Sequence, residues 1–488
     1  MRWTTVRRLG ARRLSFDASF GRNRIVYPGT DRMPYQRIVV VAASVWLALG
    51  RAGVTAQQLA PQALPAVDST AAGEALAATS LPAADGAASF ESICDGALSP
   101  VVWRPNCRSG PLGGAYPTVA VTGFFQADGI WFSQDATNTA VVTDAQDVTE
   151  FRRARLAAKG QLASNVSYFT EYDFAFPGRP SFMDVYVDVE DLSRFGKLRI
   201  GQWRQPFSMD AQTSVRELMF LERALPFAFV PFRQVGAGLS NTAVDESVTW
   251  AVSGYRFPTD VFGDVAGDGG YGFSTRETVL VYSEESTTLH VGGGYTYNRP
   301  STDAARLRTP PEVGFNQLDF RSTDFPVPFF VDTGVLPGVD SYQAFNVELA
   351  GSRGPWLAQS EFFAVRVDQD GVGLLDFQGA YAQVAYALTG ETHPYNRSAG
   401  VYSRITPHTD YGGVSGLGAW EVAGRWSYID LTDGPVDGGV LNDLTCGLNW
   451  YLNRFTKFQF NYIHAFLERP AGTTSDADIF AVRAQIDF

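Results

Sequence analysis

Asp478-Ile-Phe-Ala-Val-Arg-Ala-Gln-Ile-Asp-Phe488 closes the chain. Phe480, Val482, Ala484, Ile486 and Phe488 share one face of an extended segment, while Ala481, Arg483, Gln485 and Asp487 share the other. One apolar face and one polar face at a period of two describe a strand with lipid outside and water inside. A soluble sandwich strand alternates in the same way, so repetition along the chain has to decide.

Working back from this end, similar alternating segments fall at 117–133, 148–160, 164–175, 181–190, 194–203, 234–241, 246–256 and 271–283. They continue at 286–297, 341–350, 355–368, 373–388, 418–431, 440–452, 455–467 and 478–488. Sixteen is an even number, which suits a closed antiparallel transmembrane β-barrel. Trp420, Val422, Trp426 and Tyr428 lie opposite Glu421, Arg425 and Ser427. Phe458, Phe460 and Tyr462 lie opposite Lys457, Gln459 and Asn461. The polar faces predict a water-filled lumen, because charged side chains fill a dry core at high cost. Short turns alternate with longer connections at 134–147, 204–233, 257–270 and 298–340. The long connection at 389–417 breaks this rule by strand parity.

The composition agrees with many short strands and tight turns: 35 Phe, 20 Tyr, 10 Trp and 48 Gly in 488 residues. Residues 38–50 form the strongest apolar run, too short for a comfortable helical span, followed by Arg51 and Val54-Thr55-Ala56. This pattern predicts a signal peptide within 1–56, with translation starting at Met33 and cleavage before Gln57; the competing reading of 38–50 is a buried helix. Removing the ten basic and two acidic residues of 1–56 leaves 29 basic against 49 acidic, a net charge near -20. Such acidity excludes a nucleic-acid surface. Residues 57–116 read as a flexible Ala/Pro-rich arm, with a possible small disulfide loop between Cys94 and Cys107, and 117–488 as the barrel. The four histidines lack zinc spacing, Asp368-Gln-Asp-Gly371 reads as a turn, and no catalytic constellation or cofactor site stands out.

Several blocks resemble the family called phosphate-selective porin O and P. They are Phe151-Arg-Arg-Ala-Arg155, Leu198-Arg-Ile-Gly-Gln-Trp-Arg-Gln-Pro-Phe207, Leu221-Glu-Arg-Ala224, Arg233-Gln-Val-Gly236, Tyr381 to Glu391, Gly418 to Ser427, Gly447 to Asn453 and the closing Phe488. The resemblance implies a sixteen-stranded outer-membrane porin, usually a homotrimer, that admits anions such as phosphate. It implies that the third outside loop, here 204–233, folds inward as a constriction loop and that 389–417 is an inward-folding periplasmic turn. It also makes Phe488 a signal read by the barrel assembly machinery.

A positive path needs guanidinium or ammonium groups along the lumen. The candidates are Arg153, Arg155, Lys197, Arg199, Arg204, Arg216, Arg223, Arg233, Arg425 and Arg483. Each could instead brace the wall against a carboxylate, and Asp210, Glu217, Glu222 and Glu421 are available for that. The loop 204–233 contains no lysine and the chain is acidic. A general or weakly cation-preferring porin is therefore one alternative, and a structural or anchoring outer-membrane protein is another.

Overall fold

The computed structural model describes residues 102–103 and 116–488, apart from 177, 317–325, 414–415 and 470–471. The expected leader, most of the arm, and Cys94 with Cys107 lie outside the described residues. Sixteen strands form the wall: β1 (Val119–Gln134), β2 (Val148–Ala163), β3 (Val166–Asp173), β4 (Ser181–Val189), β5 (Lys197–Arg204), β6 (Arg233–Ala243), β7 (Val248–Arg256) and β8 (Tyr271–Glu284). They are followed by β9 (Thr287–Arg299), β10 (Val339–Arg353), β11 (Trp356–Gln369), β12 (Gly373–Ala387), β13 (Ala419–Asp433), β14 (Val436–Asn453), β15 (Thr456–Arg469) and β16 (Thr473–Asp487). Every strand pairs antiparallel with the next, and β1 closes on β16 in a register running from Phe124↔Asp487 to Gln134↔Ala477. Closure leaves no unpaired edge, as a barrel surrounded by lipid requires. Among the described residues no helix is long and apolar enough to cross a membrane.

The expected alternation holds around the wall. Phe480, Ile486, Phe460, Trp426 and Leu444 are exposed outside, while Arg483, Gln485, Lys457, Gln459 and Ser427 are buried within. Two-residue turns such as Gly354-Pro355 join strands on one side, and Gly354 at φ +55 supplies the left-handed residue its turn needs. At the closing seam, the Phe488 amide donates to the Gly123 carbonyl at 3.0 Å and the Gly123 amide donates back at 2.9 Å. A Cβ at Gly123 would lie 2.6 Å from the Phe488 ring, so only glycine lets that ring lie against β1. The ring also packs 5.8 Å from Phe125.

The interior departs from a uniformly wet lumen. The inward faces of β10–β16 become apolar over part of their length, with Phe363, Val365, Phe377, Ile429 and Leu441 buried. Phe207, Leu225 and Phe229 of the third loop (205–232) and Phe330 and Val331 of the fifth (300–338) pack on this surface. Each fully buried phenylalanine contributes about 1.5–3 kcal/mol, and the two loops thus make a core inside the barrel. Alternation in a strand shows which side faces inward, but a loop arriving from far along the chain decides whether that side meets water.

The connection 388–418 also folds into the barrel, as the resemblance implied. Arg276 on β8 donates to the carbonyls of Ala399 and Gly400 at 2.9 and 2.8 Å, and the Tyr402 hydroxyl lies 2.7 Å from Thr288 Oγ1 on β9. Val401 and Tyr402 pack with Met209, Met219 and Phe220 of the third loop.

Candidate functional site

The third loop is held by its main chain. Gln126 donates to the Val215 carbonyl at 3.3 Å, Lys457 and Gln459 to Leu218 at 3.0 and 3.2 Å, Asn449 to Met219 at 2.9 Å, and Arg425 to Glu222 at 3.1 Å. Arg483 donates to the Leu221 carbonyl and the Tyr342 hydroxyl to that of Phe229. At the loop's start, Glu361 on β11 accepts from the amides of Met209 and Asp210 at 3.0 and 2.8 Å. Backbone polar groups taken from water need such partners, and the wall supplies them.

With the loop fixed, a cavity of about 80 Å³ remains between it and the wall of β1–β6. Arg155, Arg204, Arg216 and Arg233 line it, together with Glu171, Asp184, Ser214 and the aromatic faces of Phe124 and Phe169. Arg155 reaches Asp173 at 2.8 Å and Glu171 at 3.2 Å. Asp184 lies 2.9 Å from Arg233 and 3.8 Å from Arg204, whose Nη1 also donates to the carbonyls of Gln212 and Thr213. Four guanidiniums thus meet three carboxylates, counting Asp173 behind Arg155. Arg216 is the one left over: its guanidinium has no ion pair among the described residues and stands 5.3 Å from the centre of the Phe124 ring. A guanidinium over a ring face remains open to an oxyanion in its own plane.

A second cavity, of about 360 Å³, lies toward the short turns, bordered by Lys159, Tyr186, Phe169 and Asp188. Asp188 binds Arg199 through both oxygens at 2.7 Å and Lys197 at 3.3 Å. The Arg199 guanidinium lies 3.5 Å over Tyr186. Lys159, exposed at this cavity, escaped the sequence reading although it shares the inward face of Arg153 and Arg155 by simple alternation.

The remaining candidates are bracing residues. Arg153 joins Gln126 at 2.9 Å and Glu222 at 2.8 Å. Arg223 turns back into its own loop, donating to the carbonyls of Asp210 and Thr213 at 2.8 and 2.6 Å. Arg425, 4% exposed, is covered by Glu312 of the fifth loop. Arg483, 1% exposed, grips Asp128 and reaches Glu222 at 3.0 Å. Burial under the loops removes these four from the open cavities. Of the expected bracing carboxylates, Glu222 collects Arg152, Arg153 and Arg483. Burial pushes its pKa up, but those three guanidiniums outweigh burial and hold it well below the ordinary 4.5. Asp210, buried in the loop, is raised by burial. Glu217 accepts from the Arg404 amide at 2.9 Å, and Glu421 faces His393. Phe488 occupies the barrel seam, and Cys446 is a free, exposed thiol on the outer face.

The chain is similar to several known proteins. The description phosphate-selective porin O and P matches residues 119–488. Porin O of Pseudomonas aeruginosa is 24% identical over 383 residues, covering 70% of this chain and 82% of that one. An uncharacterized protein of Caulobacter vibrioides is 28% identical over 334 residues, covering 64% of this chain and 62% of its own length. Among solved structures, an anion-selective porin from Comamonas acidovorans aligns with a TM-score of 0.47 and 11% identity, over 76% of this chain and 99% of that one. With a matched family over the whole barrel, the chain belongs to the phosphate-selective porin O and P family and is a porin of the cell outer membrane.

Proposed function

We propose that the channel passes small hydrophilic anions, phosphate among them, past Arg216 and its neighbours Arg155, Arg204 and Arg233. The observation that carries this reading is the single unpaired guanidinium in a cavity whose other arginines are neutralised by carboxylates. Lys159, Lys197 and Arg199 continue the positive path toward the periplasm. Paired guanidiniums hold their geometry without trapping the ion, and one free charge attracts without holding. The phosphate selectivity for which the family is named points the same way. Assembly as a homotrimer, surrounded by outer-membrane lipid and inserted by the barrel assembly machinery through Phe488, belongs to the same proposal.

The heavy carboxylate pairing favours one competitor, a general porin with weak or cationic preference. Single-channel recording in a planar bilayer under a potassium chloride gradient separates the two. A reversal potential of anionic sign, with phosphate reducing chloride current, supports the anion path. Large ohmic steps with no preference, or with cationic preference, assign the general porin.

A further inference from the structure

The turn 388–418 carries a buried acid–base pair that the anion path does not use. His393 on the turn and Glu421 on β13 have side chains 1% and 0% exposed. His393 Nδ1 lies 2.9 Å from the Ser403 carbonyl oxygen. A carbonyl only accepts, so Nδ1 bears the hydrogen. On the other side of the ring, Nε2 lies 2.7 Å from Glu421 Oε2, off the line of a hydrogen bond, and neither atom has any hydrogen-bond partner among the described residues. Glu421 Oε1 is occupied by Asn449 Nδ2 at 2.7 Å. In a neutral ring, Nε2 would oppose one lone pair to another. A second ring proton removes that opposition and sets an imidazolium against the carboxylate.

That pair fixes Ser403, and the next residue is Arg404. The Arg404 amide donates to Glu217 Oε2 at 2.9 Å, while its guanidinium donates to the Arg216 carbonyl at 3.3 Å and the Arg454 carbonyl at 2.9 Å and pairs with Asp487. Arg404 therefore holds, together with Gln485 at 3.3 Å from the same carbonyl, the peptide that carries the unpaired arginine of the cavity.

We propose that the inward turn is a proton-held brace, in which His393 is a positioning residue that sets Arg216 through Arg404. When the pair loses its proton to bulk water, either Nε2 faces Oε2 bare or the other tautomer leaves Nδ1 bare against Ser403. One of the two contacts is lost in both cases, and the Arg404 segment loosens. The charged groups facing His393 are Glu421 from β13 and Glu217 from the third loop, with Lys457 and Arg404 acting on it through those carboxylates. Burial opposes the imidazolium, but Glu421, the Ser403 carbonyl and Glu217 outweigh it, so the ring titrates above its ordinary 6.5. The brace is thus complete below pH 6.5 and is lost as pH rises through the raised value.

The proposal rests on Arg216 lining the current path. Its test is single-channel conductance and current noise against pH for the unmodified protein and His393→Gln, with histidine-ring NMR of both. One of the four imidazoles is expected to stay doubly protonated above pH 6.5 and to vanish in His393→Gln. The alkaline change in conductance and noise is expected to vanish with it. Four neutral imidazoles above pH 6.5 overturn the proposal, even where the variant fails to fold. A protonated ring with pH-independent current, or a variant that keeps the unmodified profile, overturns it as well. The reversal potential of Arg216→Glu tests the path by itself, so failure of the brace and failure of the path are told apart.

Discussion

Arg483 in the last strand grips Asp128 in the first: Nε meets Oδ1 at 2.7 Å and Nη2 meets Oδ2 at 2.6 Å, with both side chains buried. The two ends of the wall are therefore joined by a bidentate fork as well as by the ladder. The same guanidinium continues to Glu222 and the Leu221 carbonyl, so barrel closure and the seating of the third loop share one residue.

Replacing Arg483 by Ala leaves Asp128 buried without its counter-charge, and removing one partner of a buried pair costs about 3–5 kcal/mol. Denaturant unfolding in detergent is expected to show a loss of that order. Asp128→Asn with Arg483→Met is expected to recover part of it, because Asp128 no longer leaves a buried carboxylate without its counter-charge.

Arg216→Glu reverses the charge of the cavity guanidinium that has no ion pair among the described residues. A unit charge about 4 Å from an ion in a water-like medium contributes about 1 kcal/mol, roughly a fivefold factor in preference. Reversal potentials are expected to move toward cations by at least that factor. Arg223→Ala, by contrast, is expected to lower stability by removing donors from its own loop and to leave selectivity nearly untouched. Equal shifts in both variants would remove Arg216 from its special position.

Acid is expected to loosen the third loop only at low pH. Because the Glu222 carboxyl is held well below 4.5 in the folded chain, its contribution is complete above 4.5 and is lost as pH falls through the depressed value. Limited proteolysis of the loop against pH checks this. Glu222→Gln is expected to show the acid-loosened pattern already at neutral pH, since a neutral amide cannot neutralise three guanidiniums.

Phe488→Ala removes the ring that lies on Gly123 and Phe125. Yield of folded protein in outer-membrane fractions is expected to fall, while unfolding of the barrel that does form changes by only about 3–5 kcal/mol or less, the upper range for an aromatic truncation at a fully buried site. A normal yield would separate the terminal ring from assembly.

Strand identity was legible because it depends on neighbours two residues apart. All sixteen expected segments overlap a wall strand, and the outward faces of Trp426 and Phe480 follow from alternation alone. What inward residues meet was not legible. Arg425 and Arg155 are equivalent by pattern, yet the fifth loop brings Glu312 over Arg425, while Arg155 opens onto the cavity. The role of Arg404 was equally hidden, since nothing near it in the sequence points to the Arg216 carbonyl. The resemblance did supply the inward course of both long connections, which local periodicity could not.

Between Val215 and Glu222 the third loop is gripped at its carbonyl oxygens by Gln126, Lys457, Gln459, Asn449, Arg425 and Arg483. Any residue other than proline offers much the same main chain to those donors. Side chains that project into the cavity, Ser214 and Arg216 above all, can therefore be exchanged with little effect on the course of the loop. The fold separates the frame of the filter from its lettering, which leaves a lineage, or a designer, free to rewrite what the channel prefers while the aperture stays in place.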